Sequence, residues 1–136
     1  MKPDPIVTVG RSEAIKILVI DDDPGIRNLI DSALKAAGYR VVTAANGKEG
    51  LREFATARFD LVILDIFMPE QNGFEVLMQM VKTLPRPKVL VISGGGTLGL
   101  RRALSWAEQS GVRHTLGKPF TLEQLLAAVE QVLRAP

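Results

Sequence analysis

Residues 17–27 read ILVIDDDPGIR, three consecutive aspartates behind four aliphatic residues. At an effective dielectric of about 20, two carboxylates roughly 4 Å apart repel by about 4 kcal/mol. Asp21, Asp22 and Asp23 therefore need something that offsets their proximity. Further along, Asp65 closes DLVILD, Ser93 closes KVLVIS and Lys118 follows RHTLG. Brought together, such carboxylates call for a hard divalent cation, Mg²⁺ or Mn²⁺, and Mg²⁺ takes few protein ligands while keeping several waters. An aspartate carboxylate can accept a phosphoryl group, and that transfer depends mainly on neutralising charge around the moving oxygens. The cation would take one oxygen, the Lys118 ammonium another and the Ser93 hydroxyl a third, with Asp65 as the nucleophile. Taken singly, the same residues have plainer readings. DDDP is a capped, solvated helix start, Asp65 opens a loop, Ser93 sits in a turn, and Lys118 before Pro119 is surface. The SGGGTLG stretch lacks the Lys-Ser/Thr ending of a nucleotide-binding loop.

What favours convergence is the order of elements. KILVI (16–20), RVVTA (40–44), DLVILD (60–65), KVLVIS (88–93) and RHTL (113–116) are short and mostly aliphatic, as strands buried on both faces require. Helical stretches lie between them with readable ends. Asp23-Pro24 supplies a cap and a first-turn proline, and Gly38 and Gly111 close helices. Asn46 with Glu49, Asn72 with Glu75 and Thr121 with Gln124 have capping-box spacing. The fourth helix is expected to start near Leu98, with Leu100, Leu104 and Ala107 as its apolar stripe. Trp106 lies off that stripe and reads as a half-exposed or packed flank position. Five β-α repeats predict an α/β fold, a doubly wound (βα)5 three-layer sandwich around a five-stranded parallel sheet. Right-handed crossovers then send every strand's C-terminal end to one edge, which is where ligands bind in such folds. Residues 1–14 read as a flexible N-terminal tail and 15–136 as one domain.

The remaining composition sets limits. The chain has 136 residues, 46% hydrophobic and 24% charged, with a net charge of +2, which fits one globular domain. Without cysteine, thiolate catalysis, disulfides and cysteine-based zinc sites are excluded. Arg101, Arg102 and Arg113 are scattered, so no direct nucleic-acid contact is expected. Short apolar runs argue against membrane insertion, and the proline-bearing start against an export signal. A cytoplasmic location is the expectation.

These motifs resemble the receiver domain of two-component response regulators. ILVIDDDPGIR, DLVILDIFMPEQNGFEVL, VLVISG and GKPF carry the resemblance in that order, from about Lys16 to the last helix. It implies sheet order 2-1-3-4-5 and a phosphorylation-activated switch. Asp65 is the implied phosphoacceptor, served by a histidine kinase or phosphotransfer protein. Asp22, Asp65 and the backbone carbonyl of Phe67 are the implied Mg²⁺ (or Mn²⁺) ligands, with Asp21 acting through water. Ser93 takes the place of the switch hydroxyl that moves toward the phosphoryl group, and Lys118 contacts the phosphoryl oxygens. Lys118-Pro119 is a candidate cis bond, and Asp23 is left as a helix cap. The readout face is the fourth helix, fifth strand and fifth helix, meeting a downstream protein target or a fused output domain that this chain does not include.

Three departures from the family pattern stand out. The position three before the lysine, usually an aromatic that rotates inward, is Thr115, beside a lone His114. Gly94–Gly96 replace a small residue and a helix start, so a mobile loop is expected, either for switching or as slack. Phe67 and Gly95 offer no side-chain hydrogen bond where the family tends to orient a hydrolytic water, so autodephosphorylation is expected to be slow. Two other functions compete. A haloacid-dehalogenase-like phosphatase needs an aspartate two residues past the nucleophile, where Phe67 stands and cannot move protons. A pseudo-receiver, binding partners without phosphorylation, remains the alternative that Thr115 keeps open.

Overall fold

The structure, a computed structural model, describes residues 14–66, 68, 73–94 and 96–136, without the side chains of 96–100, 103 and 107. Five strands alternate with five helices: β1 (Lys16–Ile20), α1 (Pro24–Ala36), β2 (Arg40–Ala44), α2 (Gly47–Thr56), β3 (Leu61–Asp65), α3 (Gly73–Val81), β4 (Val89–Ser93), α4 (Gly96–Ser110), β5 (His114–Gly117) and α5 (Leu122–Arg134). All strand pairs are parallel, in the order β2-β1-β3-β4-β5. The doubly wound sandwich and its strand order are as the sequence implied. No helix among the described residues is long and apolar enough to cross a membrane.

The aliphatic strands explain the two-sided core. In β1, Leu18 and Ile20 point to one face and Ile17 and Val19 to the other. In β3, Val62 and Leu64 oppose Leu61 and Ile63 in the same way. This is the strand period of two acting on runs with no polar alternate. Ile30 and Leu34 of α1 and Leu125, Val129 and Val132 of α5 cover one face. Val76, Leu77 and Met80 of α3 cover the other, flanked by Leu51 and Phe54 of α2 and Trp106 of α4. Full burial of each such side chain is worth about 1.5–3 kcal/mol.

Helix ends follow the local chemistry. The Asp23 carboxylate accepts from the N–H groups of Gly25 and Ile26, at 2.8 and 3.3 Å, and Pro24 is the first residue of α1. Thr121 and Gln124 form the full reciprocal box at α5. At α2, Asn46 accepts from the Glu49 N–H, while the Glu49 carboxylate reaches back to the N–H of Ala45. Gly38 and Gly111 end α1 and α4 with φ of +97° and +83°, backbone that other residues adopt at a cost.

Two expectations about α4 need correction. The helix begins at Gly96, not near Leu98, so at most two residues separate it from β4 where a longer glycine loop was expected. Low helix propensity in glycine argued for a later start, but the compact β4–α4 connection overrides it. Leu104, assigned to the apolar stripe, is 51% exposed, while Trp106 packs on the core as the flank reading expected. Leu104 and Trp106 lie about 200° apart around a helix, so only one can face inward, and the larger aromatic buries more area. Most of the expected tail, the Asn72 cap, Phe67 and Gly95 fall outside the described residues.

Candidate functional site

The C-terminal edge of the sheet is where the sequence's reactive residues meet. Asp21 follows β1 directly and Asp65 ends β3, its neighbour in the sheet. The two carboxylates are almost fully buried, 1% and 3% exposed, while Asp22 is exposed. Ligand oxygens of Asp21, Asp22 and Asp65 all lie within 4.8 Å of one another. Lys118, just past β5, crosses from two strands away and puts its Nζ 3.1 Å from Asp21 Oδ2 and 3.2 Å from Asp65 Oδ2. Its position is fixed by backbone: the Lys118 N–H donates to the Ser93 carbonyl at 2.7 Å. The Lys118-Pro119 bond is cis.

Local structure holds the acids in place. One Asp21 oxygen, Oδ1, accepts from the N–H of Asp23 at 2.9 Å, so the turn out of β1 is stitched before Asp23 begins α1. The Arg27 guanidinium, one turn into that helix, donates to the Asp21 carbonyl at 2.9 Å. Sequence reasoning passed over Arg27. Its signal was the four-residue step from the capping Asp23, which returns a helical side chain to the same side.

Among the described residues, three carboxylates thus meet the Lys118 ammonium. Burial alone would lower the Lys118 pKa, but Asp65 and then Asp21 outweigh it, and the ammonium is held above its ordinary range. It stays charged at neutral pH. Asp21 Oδ2 is buried and receives no aligned hydrogen bond; Lys118 meets it as an ion pair only. A buried carboxylate oxygen with lone pairs to spare, beside two more carboxylates, suits a hard divalent ion such as Mg²⁺.

Of the other sequence-derived candidates, Ser93 is buried at the end of β4, in register with Gly117 and next to the Lys118 anchor. Asp23 serves as the α1 cap. Thr115 pairs with Val91, two residues short of the strand end. It lines an open cavity of about 820 Å³ with Arg101, Leu104, Ser105, Glu108 and Arg113, on the α4 side of β5.

Residues 17–130 match the response regulator receiver domain. The chain belongs to that family. This receiver domain is 36% identical over 117 residues to the transcriptional regulatory protein GlrR of Escherichia coli K12, covering 86% of the chain and 26% of GlrR. It is 37% identical over 120 residues to the response regulator MprA of Mycolicibacterium vanbaalenii, covering 88% of the chain and 51% of MprA. The chain therefore spans between a quarter and a half of these relatives. Among solved structures, a CheY-like receiver domain from Methanospirillum hungatei superposes with a TM-score of 0.81 at 28% identity, covering 89% of this chain and 94% of that one. As a receiver domain it is a signalling module of the two-component type.

Proposed function

We propose that residues 15–136 act as one phosphorylation-operated switch with Asp65 as acceptor. The observation that carries this is the buried Asp65 carboxylate, 3.2 Å from the Lys118 ammonium and within 4.8 Å of two further carboxylates. An Asp65 oxygen attacks the phosphorus of a phosphohistidine on a kinase or phosphotransfer protein. The new O–P bond forms as the donor's N–P bond breaks, and the imidazole leaves. Lys118 shifts from pairing two carboxylates to balancing the added phosphoryl oxygens, and the Ser93 hydroxyl donates to one of them. Asp22 and Asp65 would hold Mg²⁺, with Asp21 acting through water and, as the family pattern implies, the Phe67 carbonyl as a further ligand. When bound, the ion neutralises charge on the phosphoryl group.

Phosphorylation then biases the α4-β5-α5 surface between two states, and a downstream protein or a fused output domain reads it in the cytoplasm. Phe67 and Gly95 lack side-chain groups to orient a hydrolytic water, so the phosphorylated form is long-lived. Its half-life in Mg²⁺ buffer is expected to run well beyond seconds, as followed by intact mass.

The test is intact mass after incubation with acetyl phosphate and Mg²⁺, with and without EDTA. One phosphoryl group is expected on the wild type, lost with EDTA and in Asp65→Asn. An unmodified protein that still binds Mg²⁺ would point to a pseudo-receiver that partners read without modification.

A further inference from the structure

Trp106 is the only tryptophan in the chain, and it sits in the middle of α4 against the ring of Phe74. The ring centroids are 5.2 Å apart and the planes incline by 36°. Phe74 is the second residue of α3. The residue before it, Gly73, is pressed so close to Ile66 that a Cβ there would lie 2.4 Å from the Ile66 carbonyl oxygen and 2.7 Å from its C and Cα. Only glycine permits that approach of α3 to the backbone. Ile66 directly follows Asp65 and is itself pinned, its N–H donating to the Ile92 carbonyl of β4 at 3.0 Å.

The contacts form an unbroken series: the Asp65 backbone, Ile66, the glycine start of α3, Phe74, and Trp106 on α4. Each step is a covalent bond or a close approach. Close-packed interiors do not deform smoothly, so a shift at one end is passed on as a repacking at the other. On the opposite flank Thr115 of β5 carries a short side chain that lines the α4–β5 cavity.

We propose that Phe74 and Trp106 are positioning residues that couple the state of Asp65 to α4. This rests on Asp65 being the phosphoacceptor. Coupling of this kind is reciprocal. Phosphorylation changes the packing of Trp106, and the packing of Trp106 in turn sets how readily Asp65 takes the phosphoryl group. A merely structural aromatic pair would hold α3 against α4 equally in both states.

Having one tryptophan makes the test direct. The full chain is treated with acetyl phosphate and Mg²⁺, and intact mass and tryptophan emission are read on the same sample. The expected result is an emission change that tracks the gain of one phosphoryl group and is missing from Asp65→Asn given the same reagents. Phe74→Leu should still gain the phosphoryl group while its emission change falls at least twofold, and Phe74→Tyr, which keeps the ring, should restore it. Trp106→Ala should alter the initial rate of phosphorylation severalfold, with Trp106→Phe returning it toward wild type. A phosphorylated wild type with unchanged emission would overturn the coupling and leave the acceptor standing. So would a Phe74→Leu protein with the full emission change. A chain that gains no phosphoryl group takes both down together.

Discussion

At the C-terminal edge of the sheet, Asp21, Asp22 and Asp65 crowd within 4.8 Å of one another. At the N-terminal edge, Lys16, Arg40, Arg58, Lys88 and Arg113 stand one to a strand, at its first residue or shortly before it. Whereas Asp21 and Asp22 leave the same strand side by side and meet Asp65 from its neighbour, these cations come one to a strand. Several also have partners of their own. Lys88 Nζ donates to the Leu133 and Ala135 carbonyls at the end of α5, each at 2.8 Å. Arg86 donates to the Ser110 carbonyl at the end of α4, and Lys16 lies over the Phe59 ring. Helices antiparallel to the strands end at this edge, and cations there complement their negative ends. The cations of this edge that have partners thus meet helix-end carbonyls or a ring. Charge packed beyond what the Lys118 ammonium can balance costs stability, and it lies at the edge proposed above as the phosphorylation site.

The sharpest way to break that contrast is to remove the ammonium. Lys118→Met leaves Asp21 and Asp65 buried together without a cation. Removing one partner of a buried pair costs 3–5 kcal/mol, and the partial exposure of Lys118 reduces this to about 2 kcal/mol, read by urea unfolding in EDTA. Next, Asp22→Asn should change sign with conditions. In EDTA it relieves like-charge repulsion and stabilises by about 0.5 kcal/mol. With Mg²⁺ present it loses a ligand, and a tenfold weaker affinity removes about 1.4 kcal/mol of ligand-linked stabilisation. Melting curves with and without Mg²⁺ should therefore cross over between variant and wild type. A variant less stable in both conditions would mean that crowding of the acids is not the cost described. On the other edge, Lys88→Met forfeits its two carbonyl contacts and about 1 kcal/mol, with the same loss in Mg²⁺ and in EDTA. Arg58→Gln, an exposed cation with no hydrogen bond or ion pair recorded among the described residues, should stay within about 0.5 kcal/mol of wild type.

Much of this was legible in the residues. KILVI, DLVILD and KVLVIS became strands to within one residue, because a run buried on both faces has few other ways to satisfy its backbone, and RVVTA did so as the half-buried edge strand. Asp23 and Thr121 marked helix starts because their side chains need only partners two or three residues away. The convergence of Asp21, Asp65 and Lys118 followed from topology, since a wound parallel sheet brings strand ends to one edge whatever lies between. Contacts that depend on distant segments were not legible. Arg27 reaching the Asp21 carbonyl, Arg86 reaching the end of α4, and Lys88 bridging 47 residues to Ala135 have no counterpart in local pattern.

The sequence by itself determined the alternation of elements, the polar residues at the exits of the first, third, fourth and fifth strands, and the family to which the chain belongs. These rest on periodicity and capping, which act over a few residues. Only the tertiary structure decided how α4 is turned about its axis, which Asp21 oxygen lacks an aligned donor, and how tightly α3 abuts the residue after Asp65. Those outcomes are competitions between elements for the same space. At α4, Leu104 and Trp106 both sought the interior from opposite sides of one helix, and it was the space beside Phe74 that admitted the tryptophan.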